Sequence, residues 1–529
     1  MSDPEAMNQL PSAPLQSSAT DKPPMPWQSR RKRKSAVPAG PEEDPAQTKV
    51  LRVAIPVPVG IWVSSLAIAL WGAFTPNPAL TLGGALLLPL IFKLLWRQGE
   101  APLLLFGCFN QWLQVVMPLI LSNYYGQTLE AHFGIPLQNE ATWLGLVGVA
   151  AFALGLRLAL RGCNLSIGPA VEREVAAFSV NRLFLAWVLS WALTVPVGLL
   201  CRMMPGLTQI IGPILGLKTG FVFLLGYAAA REQRGYATLA FVVATEILTG
   251  MLGFFGGFRL VLNVLLIIMV TVTRRWNLRA GLRYLALAAA MLVSGAFWTA
   301  IKTDYRAYLN QGSGQQEVLM PVAQRLNYLY SHVQSFSEED LANGFETMLL
   351  RIGYTEYFAD TLKNVPKEVP YERGRLWQEA VTRIFMPRMF FPGKTAVDDS
   401  TRTKMYAGVS VAGAEEGASI GMGYMAESYV DFGPYLMFLP IFLLALLFGL
   451  AYRYFVVRPG VGSWGFVIAF AMPFTMPHMF ETSNIKLLGA LVACVILFVP
   501  LDYYCGNTIK AWLRGGAASF PKRPRRKRK

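Results

Sequence analysis

The sequence predicts an all-α polytopic membrane protein, with about twelve transmembrane helices and one large extracytoplasmic loop between the ninth and the tenth. Three observations predict it. Apolar runs of roughly 18–23 residues recur along the chain, the length that crosses a ~30 Å hydrocarbon core. Of the 529 residues, 53% are hydrophobic and only 15% charged, where a soluble domain carries about 25% charged residues; mean hydropathy is +0.38. Successive short loops alternate between rich and poor in Lys and Arg, as they do when every second loop is cytoplasmic.

Taken in order, residues 1–48 are polar, contain many Pro and Ser, and hold no apolar run. They read as a disordered cytoplasmic tail and not as a cleavable signal peptide. Residues 49–301 carry apolar runs over 53–74, 79–96, 101–122, 141–160, 182–201, 207–229, 236–255, 259–273 and 281–301, each predicted to be a span. The stretch "GMLGFFGGFR", between the seventh and eighth, suits either a turn at the surface or a re-entrant bend. Residues 302–430 form a long hydrophilic insertion, with helical periodicity around 318–362 and 371–384 and a Pro/Gly-rich interruption at 387–394. Three further runs, 433–452, 463–480 and 486–504, fall within 431–506, and 507–529 is a basic cytoplasmic tail.

Orientation follows from the loops. Lys93 and Arg97, then Arg157, Arg161, Arg173 and Arg182, then Arg231 and Arg234, then Arg274, Arg275, Arg279 and Arg283, then Arg453 and Arg458 occupy every second one. The intervening short loops carry at most Arg202, Arg259 or Lys486. Both termini are therefore expected in the cytoplasm and the insertion outside, since long loops escape the positive-inside rule. The net charge of +16 sits largely in "RRKRK" (30–34), in "KRPRRKRK" (522–529) and in the basic loops. That distribution suits topology and anionic lipid better than a nucleic-acid groove. Cys108, Cys163, Cys201, Cys494 and Cys505 are scattered without CxxC or zinc spacing, so no metal site or disulfide framework is expected.

The chain has no Walker loop, no GxGxxG after a strand, no HExxH and no GxSxG. Asp398-Asp399 reads as a solvated loop more readily than as a metal pair. In the insertion, "RIFMPRMFFPGK" (383–394) places cations on a stretch broken by two prolines. Arg351, Arg373, Arg375, Arg383, Arg388 and Lys394 could together grip a pyrophosphate, because Arg offers a planar fork of donors and Lys a mobile charge. They could equally pair with acids in the same loop. In "SIGMGYMAESYVDFGP" (419–434), Glu427 and Asp431 lie one helical turn apart where the insertion meets the tenth span. A partly desolvated carboxylate there can take a proton from a hydroxyl, or serve only as the start of an interfacial helix. Arg259 opens an apolar run, where a cation either faces a cavity or snorkels. His478 and Glu481 in "MPHMFETSN" could act as an acid/base pair or simply pack at the interface. Gly216 and Gly220 in "GLKTG" have small-xxx-small spacing, which favours helix packing.

About twelve spans, a large late outer loop, an Arg after a Gly-rich bend, "MPRMFFPGK" and a "GxGYxxESYxDFG" stretch together resemble the Wzy-type oligosaccharide repeat-unit polymerases. These are the O-antigen and exopolysaccharide polymerases of bacterial inner membranes. In layout the resemblance covers residues 50–505; in motif it rests on Pro387, Arg388, Pro392 and Lys394, and on Gly423, Glu427 and Gly433. It implies a glycosyltransferase that joins polyprenyl-pyrophosphate-linked oligosaccharides at the outer face of the inner membrane, without cofactor or nucleotide. On that reading Arg259, Arg383, Arg388 and Lys394 hold the pyrophosphate, and Glu427 or Asp431 acts as the base. Its partners would be the lipid-linked oligosaccharide, membrane lipids, a flippase and a chain-length regulator, with no nucleic acid. An O-antigen ligase and a polysaccharide or lipid transporter are the alternatives.

The loop alternation makes a direct prediction. Reporter fusions after residue 345 should read as outside, and fusions at 40, 165, 278 and 515 as cytoplasmic. A cytoplasmic reading at 345 would reverse the topology.

Overall fold

The computed structural model describes residues 57–97, 100–163, 168–204, 207–273, 277–314, 316–386, 391, 393, 398–413, 418–458 and 460–515. The expected tail 1–48 and residues 516–529 of the basic tail lie outside the described residues. Every regular element among the described residues is helical. Eight of these helices are long and apolar enough to cross a membrane: Pro78–Leu95, Leu103–Tyr124, Gln138–Ala159, Val180–Cys201, Gly212–Glu232, Leu278–Leu309, Phe438–Val457 and Asn484–Leu513. The chain is a helical membrane protein.

Four of the expected spans take another form. Among the described residues, Val57–Gly72 and Tyr236–Met251 have 16 residues each and Arg259–Val272 has 14. At 1.5 Å per residue these described lengths rise about 21–24 Å, against a ~30 Å core, and residues 53–56 of the first expected span lie outside the described residues. The run over 463–480 contains only the eight-residue helix Ser463–Phe470. Pro473 and Pro477 have no N–H to continue a helical ladder, and apart from the turn Pro473–Thr475 the chain runs irregularly to Asn484. Irregular backbone at such depth must be enclosed by protein, and Met472, Phe474, Met479 and Phe480 are buried. The last helix continues to Leu513, so residue 506 is no structural boundary.

Side-chain contacts gather the loops at two ends. Tyr125 donates to Glu346 (2.8 Å) and Gln138 to Thr355 (2.7 Å), which sets the turn 125–137 against the insertion. Arg306, in the last turn of Leu278–Leu309, and Arg325, beyond it, donate to the carbonyls of Phe254 (3.0 Å) and Leu252 (2.7 Å). The Gly-rich bend thus meets the insertion too. Gly256, at φ 63°, backs onto the Trp298 ring so closely that a Cβ would sit 2.5 Å from its Nε1. At the other end, Glu174 accepts from the Ser463 N–H (2.7 Å) and from Arg514 (2.9 Å), and Arg234 donates to the Val175 carbonyl (3.0 Å).

Close backbone approach binds the bundle, as expected where lipid supplies no hydrophobic contrast between helices. Gly155 faces the Phe442 carbonyl, and Gly449 faces Ala159. Gly216 and Gly220 back onto Ala471 and Val467, where a Cβ on Gly220 would fall 2.4 Å from the Val467 Cα. Gly220→Leu should therefore lower the thermal unfolding temperature in detergent, at the ~1–3 kcal/mol cost of overpacking. Gly281→Leu, at a position with open space around it, should leave that temperature unchanged.

Candidate functional site

Between the insertion and the last helix lies a cavity of about 1320 Å³. Its floor is apolar: Ile485, Gly489, Val492 and Ile496 of Asn484–Leu513 line it, a 4-3-4 spacing that keeps them on one face of the helix. That strip runs about 16 Å along a membrane-length helix. Arg306, Arg351, Arg383 and Lys486 supply cations, Glu356 and Glu481 carboxyls, and Tyr354 and Tyr357 neutral phenols.

The Tyr424–Leu436 helix positions these walls. Glu427, 1% exposed, accepts a hydrogen bond from the Asn484 N–H (2.7 Å) at the start of the last helix, and pairs with Arg402 (3.1 Å). Arg402 also reaches Glu379 (2.6 Å), which in turn holds Arg383 (2.7 Å). A continuous relay of charge thus runs from a helix N-terminus to the cavity wall. Burial pushes the Glu427 carboxyl up from its ordinary value, while Arg402 and the Asn484 N–H pull it back.

One turn later, Asp431 accepts from the Leu376 and Trp377 N–H groups (3.0 and 2.8 Å). These are orphan donors in the first turn of Arg375–Ile384. That helix follows Gly374, at φ 94°, which offers no capping side chain. Asp431 supplies the cap from another element, and Trp377 fixes the pairing by donating to Ser428 (3.1 Å).

Within the cavity, Glu481 comes from the irregular stretch after Pro477. Burial lifts its carboxyl to about 7, against the opposing charge of Arg259. The Tyr354 phenol is pushed far up, chiefly by burial and further by Glu481, and its hydroxyl donates to the Gly421 carbonyl (2.6 Å). Lys486 is held by Asp399 (2.7 Å) and Ser419 (2.9 Å). Asp398 accepts from the Ser400 N–H (3.0 Å), so the two aspartates have separate jobs. Among the described residues no three His, Cys, Asp or Glu side chains converge as a metal ion requires.

Of the residues singled out in the sequence, Arg351, Arg383, His478 and Glu481 line the cavity, and the charge of Arg259 acts on Glu481. Glu427 and Asp431 stand behind it as supports. Arg375 instead pairs with Glu372 (2.7 Å) on an exposed surface. Arg388 and Lys394, with Pro387 and Pro392, lie outside the described residues. Arg306, Tyr354 and Glu356 were missed, for nothing in their local sequence marks them. Lys486 stood out in the sequence only as a lone cation in a short loop.

A model of the family described as "Domain of unknown function (DUF8712)" matches residues 140–455, more than half of the chain. The chain belongs to the DUF8712 family. The DUF8712 match takes in Arg259, the insertion, and the Tyr424–Leu436 helix with both of its capping carboxylates. Glu481, Lys486 and the last helix lie beyond it. No curated protein and no solved structure matches the chain.

The two carboxylates of the DUF8712 segment are expected to differ in weight. Asp431→Ala removes a cap, a loss of ~1–2 kcal/mol. Glu427→Ala also breaks a buried ion pair, for which ~3–5 kcal/mol is usual. Thermal unfolding in detergent should therefore fall further for Glu427→Ala. Equal unfolding temperatures for the two variants would dismiss the relay through Arg402.

Proposed function

We propose that the protein is a membrane glycosyltransferase that polymerises oligosaccharide repeat units carried on polyprenyl pyrophosphate, working at the periplasmic face of a bacterial inner membrane. The observation that carries this reading is one cavity combining an apolar strip on a membrane-length helix, four cations, and a carboxyl lifted to about 7. The strip suits a prenyl chain and the cations suit a pyrophosphate. Both termini then lie in the cytoplasm, and the insertion roofs the cavity from outside. A flippase would deliver the substrate and a chain-length regulator would set the product.

In the reaction, Glu481 takes the proton of a hydroxyl at the non-reducing end of the acceptor glycan. The freed oxygen attacks the anomeric carbon of the donor, a C–O bond forms, and the bond from that carbon to the pyrophosphate oxygen breaks. Polyprenyl pyrophosphate leaves with the electron pair. Arg383, Arg351, Arg306 and Lys486 meet the charge that develops there, with Arg388 and Lys394 as further cations on the motif resemblance. Glu481 fits the base better than Glu427, because both oxygens of Glu427 are already engaged, by Arg402 and Asn484. Glu427 and Asp431 act as positioning residues.

The transport alternative has one observation in its favour. Lys218 and Glu246 pair at 2.8 Å between two apolar helices, and charges placed there often mark ion pathways. Trp187 completes that pair by donating to Glu246 (2.9 Å), and neither charge lines the cavity. It reads better as glue between helices.

Glu481→Gln keeps size and polarity but removes the proton acceptor. Membranes with matched protein levels should then accumulate single lipid-linked repeat units. The wild-type kcat/KM, which reports the donor-free enzyme, should rise with pH and level off above about 7, as the carboxyl whose pKa is raised by burial gives up its proton, and the variant should lose that limb. Arg383→Ala should cost 10²–10³ in rate, the ~2–4 kcal/mol of one contact to developing charge. A normal polymer ladder in Glu481→Gln would exclude it as the base.

A further inference from the structure

The Val322–Ser335 helix of the insertion has three faces with three different chemistries. One is packed: Leu329 is buried in a cluster with Tyr305 and Leu309, Tyr328 stacks on Tyr308 at 4.6 Å, and Arg325 donates to the Leu252 carbonyl. A second is apolar and bare: Val322, Leu326, Tyr330 and Val333 are 52%, 39%, 64% and 60% exposed. At 100° per residue these four fall within one ~80° sector. The third lies opposite and is polar, with Gln324, Asn327, Ser331 and Ser335 exposed. No exposed residue from 318 to 335 is charged.

Its level in the bundle is set by its partner. On Leu278–Leu309, no charged residue occurs between Arg283 and Lys302, a rise of about 27 Å, which matches the hydrocarbon core. Leu285, Leu292 and Val293 are exposed along that stretch, as a lipid-facing surface is. Tyr305, Tyr308 and Leu309, against which the Val322–Ser335 helix is pinned, come within two turns after Lys302. Leu319 continues the attachment through its N–H to the Leu309 carbonyl (2.9 Å). The bare apolar sector therefore begins where the lipid-facing surface of the long helix reaches the headgroups.

We propose that the Val322–Ser335 helix lies in the membrane–water interface, with Val322, Leu326, Tyr330 and Val333 seated in lipid and Gln324 and Ser331 in water. A helix whose exposed residues carry no charge, with opposed apolar and polar sectors and an exposed tyrosine, matches that boundary. A docking face for a soluble protein would carry a polar or charged rim around the apolar patch. The inference stands apart from the proposed reaction, since none of these residues lines the cavity. It adds that the bilayer holds the bend at 252–258 through Arg325.

The test uses the full chain in vesicles of phosphatidylethanolamine and phosphatidylglycerol, with a benzophenone amino acid replacing Tyr330, Val333, Gln324 or Ser331 in turn. Each variant is first matched to wild type in thermal unfolding. After irradiation, mass spectrometry should find lipid adducts at 330 and 333 and none at 324 or 331. Lipid adducts absent at 330 and 333, or as abundant at 324 and 331, would overturn the assignment. So would capture of a protein instead of lipid at 330 when the experiment is repeated in native membranes.

Discussion

The cavity depends on two carboxylates that serve helices other than their own. A helix N-terminus leaves its first N–H groups without partners, and in a buried place each orphan costs free energy of the order of a lost hydrogen bond. The last helix and the helix Arg375–Ile384 both begin inside the protein, where water cannot answer those groups. Glu427 and Asp431, one turn apart on Tyr424–Leu436, answer both. Two helices from distant parts of the sequence are fixed to a third by their polar ends, and the cavity is the space left between them. Because Glu427 also carries a charge, it demands a cation, and Arg402 brings Glu379 and Arg383 with it.

A second constraint comes from proline. Had residues 463–480 formed a continuous span, Glu481 would sit at an ordinary loop tip and titrate near other exposed carboxylates. Pro473 and Pro477 stop the helix early, and the chain runs irregularly to Asn484 with Met472, Phe474, Met479 and Phe480 buried. Desolvation then raises the Glu481 carboxyl. The proton affinity that suits a base at neutral pH follows from a broken helix.

How far these features were legible in the sequence follows from their range. The eight long apolar helices were plain, because twenty apolar residues have few other fates. Gly216 and Gly220 announced a close approach by spacing alone, and Ala471 and Val467 are what they approach. The broken run over 463–480 was readable in principle from its two prolines, yet its hydropathy outweighed them. Glu427 and Asp431 drew attention by position, but their work depends on Asn484 and Leu376, whose proximity no local pattern encodes. Arg306 and Tyr354 reach the cavity only through tertiary packing of the insertion, so periodicity and motif could not have marked them.

The cation wall is partly answered by the protein's own acids. Asp399 holds Lys486 and Glu379 holds Arg383, so in the proposed reaction an arriving pyrophosphate would exchange internal partners for its own oxygens instead of filling bare charges. That pairing compensates two of the four cavity cations before any donor arrives, where a buried unpaired charge is costly. It also bears on Glu481. In the proposed reaction the donor brings negative charge into the same enclosure, and like charge raises a carboxyl's proton affinity further. Glu481 would be a stronger base with the donor bound than without it. When polyprenyl pyrophosphate departs, the proton affinity falls back and the proton taken from the acceptor hydroxyl can escape to water. Donor binding and base strength are then linked through charge alone, with no moving part required.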